Sequence, residues 1–402
     1  MLQKFAFKSK VNLELEHISF VADLAISNCI IYFIFLCCIV IYIVMNFKKI
    51  ISHPLLGIAP GKFIKLLVAN GFRHNFITFV RIFYILSSSL SVGILAAIES
   101  ALYGRKLADT KIQTDPVFII GHWRSGTTFL HYMMAEDKRF GYVSNQQVFM
   151  PRAMLVARKL TSTLTKLHME EKRPMDDVAL TPNSPQEEEY ALLHYGIESY
   201  LGSIFPKRMK EYFLKHADLE NCTTEEIEYF KKCYYQLVQK ITFACGGKQL
   251  LLKNPVSTAR IKTLLELFPN AKFIYLHRNP YEVYLSTIRL HEKVSELFAL
   301  QQYNSKDIEG AVPELYKFMM AKYEQDKKLI PAGQLIEISY EELMRNPLAT
   351  AEKIYSKLEL PEFTVAKEAF VEFLKTQREY KPANYQITEE TKKQLDDLLC
   401  LN

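Results

Sequence analysis

Val117-Phe118-Ile119-Ile120-Gly121-His122-Trp123-Arg124-Ser125-Gly126-Thr127-Thr128 is the stretch on which the fold turns. Its four leading apolar residues read as a strand buried on both faces. A loop bounded by Gly121 and Gly126 follows, and Thr127–Ala135 takes a helical pattern. The spacing G-x-x-x-x-G-x-[ST] between a strand and a helix is that of a P-loop. Glycines there let the backbone wrap an anion, to which N–H groups and the helix dipole offer positive potential. Thr127 stands where a nucleotide triphosphatase carries its lysine, and no acidic residue after a later strand reads as a Walker-B magnesium ligand. Phosphoryl transfer would therefore lack its main charge neutralisers, and Arg124 supplies the cation of the loop instead.

Outward from the loop, Gln249–Leu252, Ala271–Leu276 and Gln334–Ile338 are further short apolar runs, and helical patterns cover Ser257–Phe268 and Tyr281–Leu297. This alternation predicts an α/β chain: a P-loop-type three-layer fold around a central, mostly parallel sheet. The run Lys272-Phe273-Ile274-Tyr275-Leu276-His277-Arg278-Asn279-Pro280 would carry Arg278 to the carboxyl end of its strand, where ligands sit in open α/β sheets. Ser286, eight residues on, falls about two turns into the next helix and could share an anion with Arg278.

Taken in order, GHWRSGTT after PVFII, then LLKNP, then FPNAKFIYLHRNPYEVYLS, resemble the sulfotransferases that use 3′-phosphoadenosine-5′-phosphosulfate (PAPS). They are most similar to the subgroup with an RSGTT loop, which has membrane-linked members. The resemblance continues through Ile338-Ser339-Tyr340-Glu341-Glu342-Leu343 and Asn346-Pro347 and spans roughly residues 116–360. It implies that Arg124, Ser125, Gly126, Thr127 and Thr128 hold the 5′-phosphosulfate, that Arg278 and Ser286 hold the 3′-phosphate, and that Tyr340 meets the adenine. The implied reaction is in-line transfer of a sulfuryl group from PAPS, as co-substrate, to an acceptor hydroxyl. Charge builds on the leaving oxygen, where loop N–H groups, Arg124 and Lys253 suit its stabilisation. A P-loop kinase or nucleotidase, and an inactive relative acting as a membrane scaffold, are the competing readings.

The acceptor hydroxyl needs a base. The soluble relatives carry a histidine two residues after the lysine of the segment resembling Leu252-Lys253-Asn254-Pro255, and this chain has Pro255 there. The replacement is sought in Ser184-Pro185-Gln186-Glu187-Glu188-Glu189, similar to an acidic stretch of the RSGTT subgroup. Ser184 as N-cap with Glu187 three residues later would make a capping box, which explains Glu187 by structure alone, and helix solvation would explain Glu189. Glu188 precedes Ala191, Leu192 and Tyr195 by three, four and seven residues, which puts it on the apolar face, where desolvation raises a carboxyl pKa. Glu188 thus ranks first and Glu187 second as base, with His122 and His131 behind them.

The 402 residues are 49% hydrophobic and 23% charged, which excludes a disordered chain. The net charge of +6 resides in Lys48, Lys49, Lys62, Lys65, Arg73 and Arg81, with no acid among them. The rest of the chain balances, which argues against a nucleic-acid partner. The seven cysteines form no CxxC pair, and no HExxH or EF-hand loop occurs, so neither a disulfide framework nor a metal is expected. Leu24–Phe47 is 24 residues without a charge, enough for a membrane helix. Ile82–Ile98 reads as a second span, a helix lying in the interface, or a core helix. The expected organisation is a tail (1–23), a transmembrane anchor (24–47), a basic and hydrophobic segment (48–110) and a catalytic domain (111–402). An integral membrane protein in contact with lipids follows, its sidedness open; glycosylation of Asn221-Cys222-Thr223 would report a lumenal domain.

Overall fold

Buried parallel strands need apolar side chains on both faces, and the first three of the four runs read from the sequence supply them. The computed structural model describes residues 53–73, 75–158, 160–163, 180–377 and 388–399, all within one compact unit that begins at Ser52. The expected anchor Leu24–Phe47 lies outside the described residues. Strands β1 (Val117–Ile120), β2 (Phe140–Gly141), β3 (Gln249–Lys253), β4 (Lys272–His277) and β5 (Leu335–Ser339) form one sheet in the order β2-β3-β1-β4-β5. Every pairing is parallel.

Alternate residues of β1, β3 and β4 enter two separate cores, which is why these strands read as nearly continuous apolar runs, whereas the edge strand β5 exposes Glu337. Phe118, Leu250, Leu252 and Phe273 pack with Tyr234 and Leu237 of α6 (Thr224–Ala244). Val117, Leu251, Ile274 and Ile336 pack on the opposite face with Leu130 of α3 (Thr127–Met134), Ile354 of α11 (Pro347–Lys357) and Phe370 of α12 (Phe363–Thr376). The result is the three-layer arrangement expected.

Among the described residues, two helices precede the sheet. α1 (Pro60–Asn70) and the first half of α2 (Phe76–Ala108) share a cluster in which Phe63 and Ile85 meet Leu193, Leu201, Phe205 and Leu300. Hydrogen bonds fix them there: Gln301 Nε2 donates to the Asn70 carbonyl (2.8 Å) and the Arg73 N–H to that of Leu300 (2.6 Å). The remaining elements used below are α4 (Glu189–Leu193), α5 (Met209–His216), α7 (Ile261–Leu267), α8 (Pro280–Phe298), α9 (Ser305–Asp326) and α10 (Tyr340–Arg345).

The helix expected over Ser257–Phe268 is two pieces. Asn254 Oδ1 accepts the Val256 N–H (3.0 Å) and opens a 3₁₀ turn at Pro255–Ala259, after which α7 starts at Ile261. The capping box expected at Ser184 is absent. Residues 182–186 are instead tied to 143–146, with the Gln186 N–H donating to the Val143 carbonyl (2.8 Å) and that of Asn145 to the Ser184 carbonyl (3.1 Å). The helix therefore begins only at Glu189.

Candidate active site

Parallel register brings the predicted groups together. Ile120 pairs with Tyr275 and His277 with Ser339, so the loop after β1, Arg278 after β4 and Tyr340 after β5 leave the sheet side by side. Lys253, paired with Ile119, ends β3 on the other side of the loop.

The loop has little room for variation. Gly121 has φ 139°, and a Cβ there would stand 2.2 Å from the Leu276 carbonyl oxygen; its N–H donates to Thr258 Oγ1 (2.8 Å). Arg124 is held at φ 69°, a left-handed conformation unusual for a side-chain-bearing residue. Gly126, at φ 91°, is the N-cap of α3 and gives it no side-chain cap, while Tyr340 closes over it so that a Cβ would lie 2.5 Å from the ring. Ser125 is buried and its hydroxyl donates to the His122 carbonyl (2.6 Å), which braces the loop from inside.

Arg124 Nε donates to Ser286 Oγ (2.8 Å), and Arg278 donates to the Arg124 carbonyl (3.3 Å). The Arg278 guanidinium stacks 4.2 Å over the Tyr340 ring and pairs with Glu282 one turn into α8. Its Nε is buried without an acceptor in the protein. Ser286 is buried on α8, whose start is fixed by Pro280 and by Asn279 Oδ1 accepting the Tyr281 N–H (3.0 Å). Two guanidinium groups, a hydroxyl and an aromatic face thus meet near the uncapped start of α3, an arrangement suited to an anionic ligand.

The three consecutive glutamates occupy three environments. Glu187 precedes the helix and is only partly buried; it pairs with Lys253 and accepts the Tyr200 hydroxyl (2.5 Å). Glu188, expected on an apolar face, lies there, but wholly inside: Oε1 accepts from Tyr234 (2.9 Å) and Asn254 (3.2 Å), and Oε2 has no partner. Burial pushes its pKa up to about 7. Glu189 is not a solvated helix residue. It is fully buried against Arg260, which donates from both terminal nitrogens (2.7 and 2.9 Å), and it also accepts from Asn254 (2.6 Å) and Ser199. Burial would raise its pKa, but the Arg260 charge and hydrogen bonds leave it below the ordinary value.

His122 and His131 are buried, and desolvation lowers both to about 3, so neither binds a proton near neutral pH. Three contributors had no reading in the sequence. Tyr200 links Glu187 to the loop, since Trp123 Nε1 donates to its hydroxyl (3.4 Å). Asn254 sorts Glu188 from Glu189, and Thr258 holds Gly121. Asn254 was visible inside the LLKNP motif; Tyr200 carries no local signal at all.

Comparison with known proteins adds three findings. A family model described as "Sulfotransferase family" matches residues 116–364. The omega-hydroxy-beta-dihydromenaquinone-9 sulfotransferase Stf3 of Mycobacterium bovis, and that of Mycobacterium tuberculosis, are 32% identical over 336 residues, covering 83% of this chain and 85% of theirs. A match of that extent takes in all of α2. Among solved structures, sulfotransferase STF1 from M. tuberculosis has a TM-score of 0.63 at 18% identity, covering 85% of this chain and 91% of that one. STF9 from Mycobacterium avium has a TM-score of 0.62 at 17% identity, covering 86% and 96%. At those identities the two structures speak for the fold.

Proposed function

Because the chain belongs to the sulfotransferase family, we propose that it moves the sulfuryl group of PAPS to a hydroxyl on a lipid-soluble acceptor. The observation that carries this reading is the convergence of Arg124, Arg278, Ser286 and Tyr340 on one side of the loop with the Glu187–Lys253 pair on the other. Thr127 in place of a lysine counts against a kinase, and the complete anion-binding set counts against an inactive scaffold.

In this reading Arg278 and Ser286 hold the 3′-phosphate, with the Arg278 Nε as a donor still open to it. Tyr340 offers its ring to the adenine, and Ser125, Gly126, Thr127 and Thr128 present the start of α3 to the 5′ arm. Bound PAPS supplies the activated sulfuryl group. Glu187 is the base: Lys253 and Tyr200 hold its carboxyl group in place, and it takes the acceptor proton as the sulfur–oxygen bond forms. Lys253 and Arg124 then face the negative charge growing on the departing phosphate oxygen. Glu188 supports that site from the core.

The acceptor class follows from the mycobacterial relatives, named for a hydroxylated menaquinone, and from the uncharged Leu24–Phe47 segment as an anchor. Incubation of the full chain with sulfur-35-labelled PAPS and polyprenyl alcohols should label the lipid. Label appearing only on water-soluble phenols would remove the lipid acceptor, and transfer of phosphorus-32 from γ-labelled ATP with none of sulfur-35 from PAPS would remove the donor.

A further inference from the structure

α2 runs for 33 residues, about 50 Å, and is, among the described residues, the one helix long and apolar enough to cross a membrane. Its two faces differ. Phe79, Phe83, Leu90, Ile94, Ile98 and Leu102 are exposed, spaced mostly by four residues, and no exposed charge interrupts them between Asn75 and Gly104. A helix solvated on that side would carry charges there. Cations gather at its close instead: Arg105, Lys106 and Lys111 are exposed there, against one exposed acid, Asp109.

The opposite face packs on the catalytic unit along the middle of the helix. Ile85 joins the cluster of Leu201 and Phe205, and Val92 that of Met150, Ala153 and Ala157. Glu99 is buried, pairs with Lys240 of α6 and accepts the N–H groups of Leu155 (2.6 Å) and Val156 (3.1 Å). Tyr103 meets Phe243 edge-on at 6.0 Å. A spanning α2 would carry this ion pair and the charged helix α6 into hydrocarbon with it, which is prohibitively costly.

We propose that α2 lies in the plane of a bilayer surface bearing anionic lipid, its uncharged face sunk into the headgroup–acyl boundary and its terminal cations on the headgroups. The uncharged run Leu24–Phe47, the anchor expected from the sequence, precedes α2 in the chain. The inference goes beyond sulfuryl transfer, and its test involves no catalysis, so the two readings fail separately.

The test places a tryptophan at Phe83, Ile94 or Leu102 of the full chain in vesicles of phosphatidylcholine and phosphatidylglycerol, with the unsubstituted chain and its buried Trp123 as baseline. Bromine is carried on the acyl chains, either near the headgroup or near the methyl end. The expected result is similar quenching at all three positions, at least twofold stronger from the shallow bromines. Deep quenching at Ile94→Trp with shallow quenching at the other two would mean a span and overturn the proposal. Absence of quenching would mean that another segment or a second copy covers the face, and would overturn it equally. Arg105→Glu with Lys106→Glu should reduce quenching at Leu102→Trp alone; an unchanged signal would defeat the anionic contact.

Discussion

At the scale of single residues, the sharpest contrast is between neighbouring carboxylates. Glu187→Gln should lower turnover by about 10²–10⁴-fold and leave the affinity for 3′-phosphoadenosine 5′-phosphate unchanged, since only proton abstraction is lost. Steady-state kinetics beside calorimetry checks this, and a full loss with Glu188→Gln instead would reverse the roles. Glu188 should act on stability. The folded chain keeps its proton up to about pH 7, whereas the unfolded chain releases it near the ordinary 4.5. Stability is therefore fully present below the lower value, falls as pH rises between the two, and is lost above the upper, a span of at most about 3 kcal/mol. Urea denaturation of Glu188→Gln from about pH 5 to 8 should show a flatter slope than the parent chain. Arg278→Ala should weaken 3′-phosphoadenosine 5′-phosphate by about 1.5–3 kcal/mol, read by calorimetry without magnesium. The helix-face argument read Glu188 correctly as facing apolar residues. What it could not show is that such a face leads into the core, whereas Glu187, just before the helix, is only partly buried.

At the scale of elements, β1, β3 and β4 were legible because a strand covered on both faces must be apolar throughout, and the edge strand β5 because Ile336 and Ile338 alternate with the exposed Glu337. β2 has two residues, too few to carry a pattern, and the acidic helix starts late because tertiary hydrogen bonds to residues 143–146 outcompete a local cap. The loop and its neighbours make a further test possible. Gly126→Ala meets the Tyr340 ring and a left-handed φ, which should cost about 1–3 kcal/mol, and Tyr340→Ala in the same chain should restore part of it. Gly121→Ala meets a backbone carbonyl of β4, so no side-chain change should relieve it. Denaturation midpoints of the single and paired variants decide the matter.

At the scale of the whole molecule, a buried ion pair ties α2 to α6, the helix that covers one face of the sheet. Lys240→Met strands Glu99 without its counter-charge and should cost about 3–5 kcal/mol, measured as a shift in the urea midpoint. The N-terminal helices owe their place to distant partners: His53 Nε2 donates to the Phe298 carbonyl (3.0 Å), and Gln301 reaches back 231 residues to Asn70. That separation has a meaning in time as well as in space. At roughly 5–20 residues per second, a ribosome makes α1 about 10–50 s before Gln301 exists. Through that interval Phe63 and Leu66, which end up buried, have no finished pocket to enter. Nascent chains stalled ahead of Phe298 should leave α1 open to protease, and chains released past Gln301 should close it. The newborn protein thus leaves uncovered a segment that the mature one shelters by itself.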